Sequence, residues 1–584
     1  MSKHDLLIKN GVIVDGTGIP SFPADIAING KQITAVGKDL GAGLREIDAG
    51  GKIVTPGWVD IHTHYDAQAT WDPYLSPSSE HGVTTVVMGN CGVGFAPVKE
   101  ELRNELIELM EAVEDIPGAA MHEGIEWDWE TFPEFMTALE KRSHVIDYGV
   151  QVPHCALRAY VMGQRGIDNE TANPEDIEAM RKIVLESLQA GALGFSTSRT
   201  EMHNTLQGKP IPGTLAEMDE LFGIGDAFKE FGRGVFQMAV THREAPNEIL
   251  WMKELAKETG AMVTFNLQQI DENPDLYKED LRMLDEARKE GIHNLRGQFS
   301  GRPVGVLMGW ETSIHPFIGH PDYQALARLP IEERRKELNK PEVRAKLIAG
   351  GKIRTDGLPK NTPIPDAFLN FLVAFTSKMF PMDQNNDYEP EPANSIAGQS
   401  ETTGRTPADL IFEALNAQNG RGMLYFPLFG YANGNFDAIL ETMRHPQTGI
   451  SLSDGGAHCG AICDAGTPTY MLMHWVRDRT RGERQSLEFI VRQQTFETAH
   501  QYGLNDRGVL APGMKADVNI IDLENLGLTA PEMRHDFPAD GRRLYQGAKG
   551  YQATIVSGQV VFENGQATGL LPGKLIRGAQ SKGA

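Results

Sequence analysis

Val54-Thr55-Pro56-Gly57-Trp58-Val59-Asp60-Ile61-His62-Thr63-His64 is a short apolar run that ends in two histidines one residue apart. On a strand alternate side chains share a face, so both imidazoles point the same way. At the carboxyl end of a barrel strand that face looks into the mouth where barrel active sites are built. Alone, the pair also fits polar strand-end residues hydrogen-bonded in place, and its weight comes from three later stretches. Met88-Gly89-Asn90-Cys91-Gly92 sets a thiol at the end of a second apolar run, Ala239-Val240-Thr241-His242-Arg243 an imidazole at the end of another, and Leu452-Ser453-Asp454-Gly455-Gly456 a carboxylate at the end of a late one. Four strands each ending in a zinc-compatible group make a shared metal site if their ends converge.

Outward from these runs, β-like segments alternate with amphipathic helical ones. Thr84 to Met88, Leu193 to Ser196, Val235 to Val240 and Met262 to Phe265 are separated by helical patterns such as Ile177 to Gln189 and Ile249 to Glu258. The alternation predicts a parallel α/β sheet, and the chain length favours a closed (β/α)₈ TIM-like barrel. Residues 5 to 55 read instead as short strands joined by turns such as Asn10-Gly11 and Asn29-Gly30, a texture that returns at 516–521 and 553–561. The organisation expected is a small β-sandwich domain formed by both termini, 1–55 plus 505–575, around a barrel of 56–504. Two stretches break the rhythm, an acidic, tryptophan-containing one near 97–147 and a Pro- and Gly-rich one near 300–400. Both are expected to be insertions that cap the barrel mouth.

Composition narrows the classes. With 55 basic and 79 acidic residues the formal charge is -24, and no Lys/Arg-rich run interrupts the acidic background. Nucleic acid and anionic membranes are therefore not expected as partners. The charged start, Met-Ser-Lys-His-Asp, reads as neither signal peptide nor anchor, and no long apolar run suggests a membrane span. Four scattered cysteines, Cys91, Cys155, Cys459 and Cys463, fit a reducing compartment, so a cytoplasmic location is expected. A homo-oligomer stays possible.

The segment 57–64 resembles the first-strand motif of the amidohydrolase superfamily. Gly82-Val83-Thr84-Thr85-Val86-Val87-Met88-Gly89-Asn90-Cys91-Gly92, Ala192-Leu193-Gly194-Phe195-Ser196-Thr197 and the run from Asp506 to Asp517 are similar to the D-aminoacylase branch, the N-acyl-D-amino-acid deacylases. The resemblance implies a metal-dependent hydrolase of C–N acyl bonds in which His62, His64, Cys91, His242 and Asp454 hold zinc, the cysteine as a bridging ligand. It implies that Asp454 is also the general base and acid, acting with a metal-activated hydroxide, and that the substrate is a small molecule, an N-acyl (D-)amino acid or a related amide.

The chain departs from that pattern at one place. Where the family supplies a further histidine ligand and then a lysine for the substrate carboxylate, this sequence reads Thr264-Phe265-Asn266-Leu267-Gln268-Gln269. Amides are poor zinc ligands and carry no charge for a carboxylate, so one zinc is expected rather than two. Arg199 and Arg243 are candidates to replace the lysine, since a guanidinium fork matches a carboxylate, although surface salt bridges explain them as well. Gln268 and His458 are further candidates to touch substrate, His458 through the tetrahedral oxyanion. Tyr65-Asp66 reads as support for the histidine pair, and His458 to Cys463 as buried thiols beside a histidine rather than a second zinc site. Hydrolysis of a cyclic amide, imide or lactone would use the same groups. A catalytically silent binding scaffold is the alternative from another class.

Overall fold

The computed structural model describes residues 4–349, 366–382, 386–451 and 453–578. Parts of the stretch near 300–400, and Leu452, lie outside the described residues. Eight strands run parallel in one sheet: β1 (Trp58–Asp60), β2 (Val83–Met88), β3 (Asp147–Pro153), β4 (Gly194–Arg199), β5 (Val235–Val240), β6 (Met262–Asn266), β7 (Leu295–Ser300) and β8 (Thr448–Ser451), paired in that order. The sheet closes where β8 returns to β1. A parallel bridge joins Thr63 to Gly455, and the His64 amide donates to the Gly455 carbonyl at 2.8 Å. This is a TIM-like barrel, and its seam lies at the histidine pair.

Every residue of β2, β3 and β5 is buried, which is why β2 and β5 read as largely apolar runs rather than alternating ones. The barrel interior nevertheless holds amides: Gln151 on β3, Gln237 on β5 and Gln298 on β7 are fully buried. A buried amide must be hydrogen-bonded, and the partners of Gln237 and Gln298 turn out to be the Cys91 amide and His62. The helices follow ordinary rules. In Pro174–Ala190, Asn173 and Asp176 form a reciprocal capping box, proline opens the first turn, Met180, Val184 and Leu188 make the buried stripe, and Gly191 ends the helix at φ 115°.

Strands from both termini share one nine-stranded mixed sheet. His4–Ile13, Phe22–Asn29, Gln32–Gly37, Gly43–Asp48 and Ile53–Pro56 continue through Val518–Ile521 into Tyr551–Val556, Gln559–Glu563 and Gln566–Ala567. It has its own apolar core of Leu6, Ile8, Ile26, Ile28, Val518, Ile520 and Ile555 among others. Buried charges tie it to the barrel: Asp147 on β3 meets Arg507 at 2.8 Å and Lys515 at 3.0 Å. Trp58 on β1 donates its indole N–H to the Tyr551 hydroxyl at 3.2 Å.

Both rhythm-breaking stretches reach the barrel mouth. The first contains α1 (Arg103–Glu114), whose buried face ends in Val113 and Glu114. The second packs its own aromatic core, with Trp310 stacked on Phe317 and Tyr323. The edge of that core, Val306, Ile314, Phe371 and Leu428, forms part of a wall over the mouth.

Candidate metal centre

A cavity of about 680 Å³ opens at the carboxyl ends of the barrel strands. His62 and His64, just past β1, are both 1% exposed. The Nδ1 of His62 meets Gln298 Oε1 at 2.9 Å, which sets the tautomer and turns Nε2 inward. There Nε2 lies 3.3 Å from Cys91 Sγ and 3.5 Å from Asp454 Oδ1. His64 Nε2 is 3.8 Å from the same carboxylate oxygen. Among the described residues, the donor atoms of His62, His64 and Cys91 all lie within 4.8 Å of one another.

Cys91 and Asp454 are positioned by left-handed backbone, at φ 56° and 47°. Non-glycine residues seldom occupy that region and stay there only when their surroundings hold them. For Cys91 the hold is explicit: its amide donates to Gln237 Oε1 at 2.9 Å, and the next amide, of Gly92, donates to Ser196 Oγ at 2.9 Å. Gly89, where β2 turns toward Cys91, sits at φ 78°, and a Cβ there would come within 2.4 Å of the Gln151 carbonyl. Only glycine fits this turn. Its amide donates to Asp66, which is buried behind the histidines.

Burial pushes His62 down to about 4 and His64 well below the usual imidazole value, so both are neutral and offer lone pairs. Burial and the nearby Glu114 and Asp454 carboxylates push the Cys91 thiol well above its ordinary value. Burial, with Asp464 and Asp60, lifts Asp454 to about 8. A dication among these groups inverts that balance, because it favours thiolate and carboxylate. Two neutral imidazoles, a thiol and a carboxylate are the donor types that zinc takes.

His242, just past β5, also lines the cavity but stands apart from the tight group. Its Nε2 faces Asn266 Nδ2 at 3.4 Å, and its ring packs edge-on against Phe429 at 4.7 Å. Asn266 is the amide at the end of β6 where the resemblance had called for a histidine. His458 and Gln268 line the cavity too. Gln268 is buried, and its Nε2 has no hydrogen-bond partner.

The two arginines are placed otherwise than expected. Arg199 is held by Glu248 at 2.8 Å and by the Ala216 carbonyl at 2.9 Å, and its guanidinium lies over Trp251. Arg243 is exposed and engages Glu201 with both terminal nitrogens. Neither lines the cavity. Their charges are spent on local carboxylates, which corrects the expectation that they replace a carboxylate-binding lysine.

The cavity also holds titratable residues that the sequence does not mark, among them His203 and Glu114. His203, on the loop after β4, bonds Ser198 Oγ through Nδ1 at 2.9 Å. Glu114, the last residue of α1, is 1% exposed, and neither carboxylate oxygen has a hydrogen bond of good geometry. One oxygen lies 3.3 Å from His64 Nδ1 and the other 3.5 Å from His458 Nε2. No spacing marks either residue, since one sits on an irregular loop and the other on an inserted helix.

Comparison with known proteins places the chain in a family. The model of the Amidohydrolase family matches residues 45–361 and 399–562. An N-acyl-D-aspartate deacylase from Alcaligenes xylosoxydans xylosoxydans is 24% identical over 98% of this chain and 95% of its own length. A D-aminoacylase from the same organism is 34% identical over a shorter alignment, 33% of this chain and 37% of the relative. In structure, an N-acyl-D-glutamate deacylase from Bordetella bronchiseptica, complexed with zinc and a phosphonate inhibitor, superposes with a TM-score of 0.63 at 21% identity, covering 99% of this chain and 100% of that one.

Proposed function

Since this chain belongs to the Amidohydrolase family and is a metal-dependent amide hydrolase, we propose that it cleaves the C–N acyl bond of a small-molecule amide at a zinc centre held by His62, His64, Cys91 and Asp454, with His242 on the wall of the same cavity. The observation that carries this reading is the approach of His62 Nε2, Cys91 Sγ and Asp454 Oδ1 to 3.3 and 3.5 Å at the closing seam of the barrel. Zinc bound there would supply a water of lowered pKa and would polarise the substrate carbonyl. Asp454 takes the proton of the attacking water and delivers it to the departing nitrogen. Gln298 holds His62 in the tautomer that presents Nε2.

One zinc per chain is expected. His242 has the Asn266 amide at 3.4 Å where a second imidazole would be needed to hold another ion tightly. Emission spectroscopy on protein dialysed against zinc-free buffer tests the count, with loss of amidase activity on chelation and recovery on adding zinc as the companion readout. Two tightly held ions would overturn the single-metal reading. Activity that survives complete removal of metal would overturn the hydrolytic role of the centre.

Glu114 completes the support of His64. Its carboxylate lies 3.3 Å from Nδ1, while Nε2 is the nitrogen that approaches Asp454 at 3.8 Å, and so favours the tautomer whose Nε2 lone pair is free. Glu114→Gln is expected to weaken zinc binding by about 10- to 100-fold, the range found when a ligating histidine loses its carboxylate partner. Competition with a chelating dye measures it. Unchanged affinity would leave Glu114 without a part in holding His64.

A further inference from the structure

We infer that the substrate of this site is an uncharged amide flanked by an apolar group, without a free carboxylate beside the scissile nitrogen. The inference rests on the hydrolytic reading above and narrows it. Among the described residues, the cavity wall contains no lysine and no arginine, while Glu114, Asp115, Glu201, Glu272 and Asp454 all line it. The cations nearby in the fold are already paired: Arg243 with Glu201, which neutralises one acid of the wall, Arg199 with Glu248, and Lys378 with Asp271 at 2.6 Å.

A bound metal would not supply the missing cation. A dication at the centre would be matched by the Cys91 thiolate and the Asp454 carboxylate, which leaves no uncompensated positive charge on the described wall for a substrate carboxylate. A carboxylate that leaves water for a wall without a cation loses hydration that nothing there replaces, so a substrate carboxylate is disfavoured.

What the wall offers instead is neutral. Gln268 is buried, lines the cavity and has an Nε2 donor that meets no acceptor. A buried donor without a partner is costly, and a carbonyl oxygen of an uncharged ligand relieves it. On the same wall Val304, Val306, Phe371, Leu428, Phe429 and Ile462 supply an apolar surface. Such a pocket, mostly apolar with a few convergent polar groups, suits a hydrophobic amide.

The test compares N-acetyl-leucine, in each configuration, with N-acetyl-isoamylamine, which is the same molecule without its carboxyl group. On the zinc-loaded enzyme kcat/KM is expected to be at least about 100-fold higher for the uncharged compound. Gln268→Lys is expected to narrow that gap about tenfold or more, and Gln268→Met, which keeps the pocket neutral, to raise KM for the uncharged compound without helping the acids. Preference for either free acid would overturn the inference while leaving the hydrolytic reading intact. If neither type is cleaved, calorimetric binding of the same compounds still decides: tighter binding of the uncharged one supports the inference, and tighter binding of an acid overturns it, while the absence of cleavage counts against the hydrolytic reading alone.

Discussion

Asp454→Asn is expected to lower kcat by about 1,000-fold or more while the protein keeps its zinc. The magnitude follows from the task. A positioned acid–base group contributes roughly 100- to 10,000-fold, and in the proposed mechanism Asp454 serves two proton transfers, away from water and toward nitrogen. Retention of metal follows from the geometry, because His62, His64 and Cys91 form a cluster without the carboxylate, their donor atoms lying within 4.8 Å of one another. Asp454 Oδ1 approaches two of them, at 3.5 and 3.8 Å, but is not needed to bring them together. Asparagine keeps the size and an acceptor oxygen, so the left-handed turn at 454, which asparagine tolerates, is preserved. Steady-state rates measured beside zinc content decide the matter. Loss of zinc in step with activity would make Asp454 chiefly a ligand, and retention of substantial turnover would remove it from the proton path.

The parts of this site that were legible in the sequence are those fixed by strand geometry. Parallel barrel strands all end at one mouth, so His62, His64, Cys91, His242 and Asp454, each just past a strand end, read as neighbours there. The direction of a side chain beyond the strand end is not fixed in that way. Arg199 and Arg243 sit beside the site in sequence, yet their carboxylate partners Glu248 and Glu201 come from 49 and 42 residues away, and only the folded chain shows that those acids are there first. Glu114 illustrates the converse. Its helix is an insertion with an ordinary apolar stripe, Leu106, Met110 and Val113, and a buried glutamate at its end reads in the sequence like any solvated cap. The departure at Asn266 was readable as chemistry, an amide where an imidazole was expected, but its contact with His242 depends on the register of β5 and β6.

Replacement of Cys91 by alanine is expected to release the zinc and with it essentially all turnover. The thiol is the one sulfur donor of the cluster, 3.3 Å from His62 Nε2, and its backbone is bent into the left-handed region and pinned by Gln237 so that Sγ faces the histidines. A buried thiol whose burial and acidic neighbours push its proton affinity up has little reason to ionise by itself. A cation provides that reason, since metal ligation requires the thiolate and releases its proton. The loss in affinity should therefore exceed the roughly 100-fold that follows from removing a ligand's hydrogen-bonding partner, and it should be larger at high pH, where the wild-type thiol gives up its proton more readily. Cys91→Ser separates donor chemistry from shape: a hydroxyl occupies the same space and is a far weaker zinc ligand, so it should behave like alanine in zinc content and like the native chain in thermal unfolding of the metal-free protein. If Cys91→Ala retained zinc at the native level, the two imidazoles and Asp454 would suffice to hold the ion, and the strained turn at 91 would need an explanation other than metal binding.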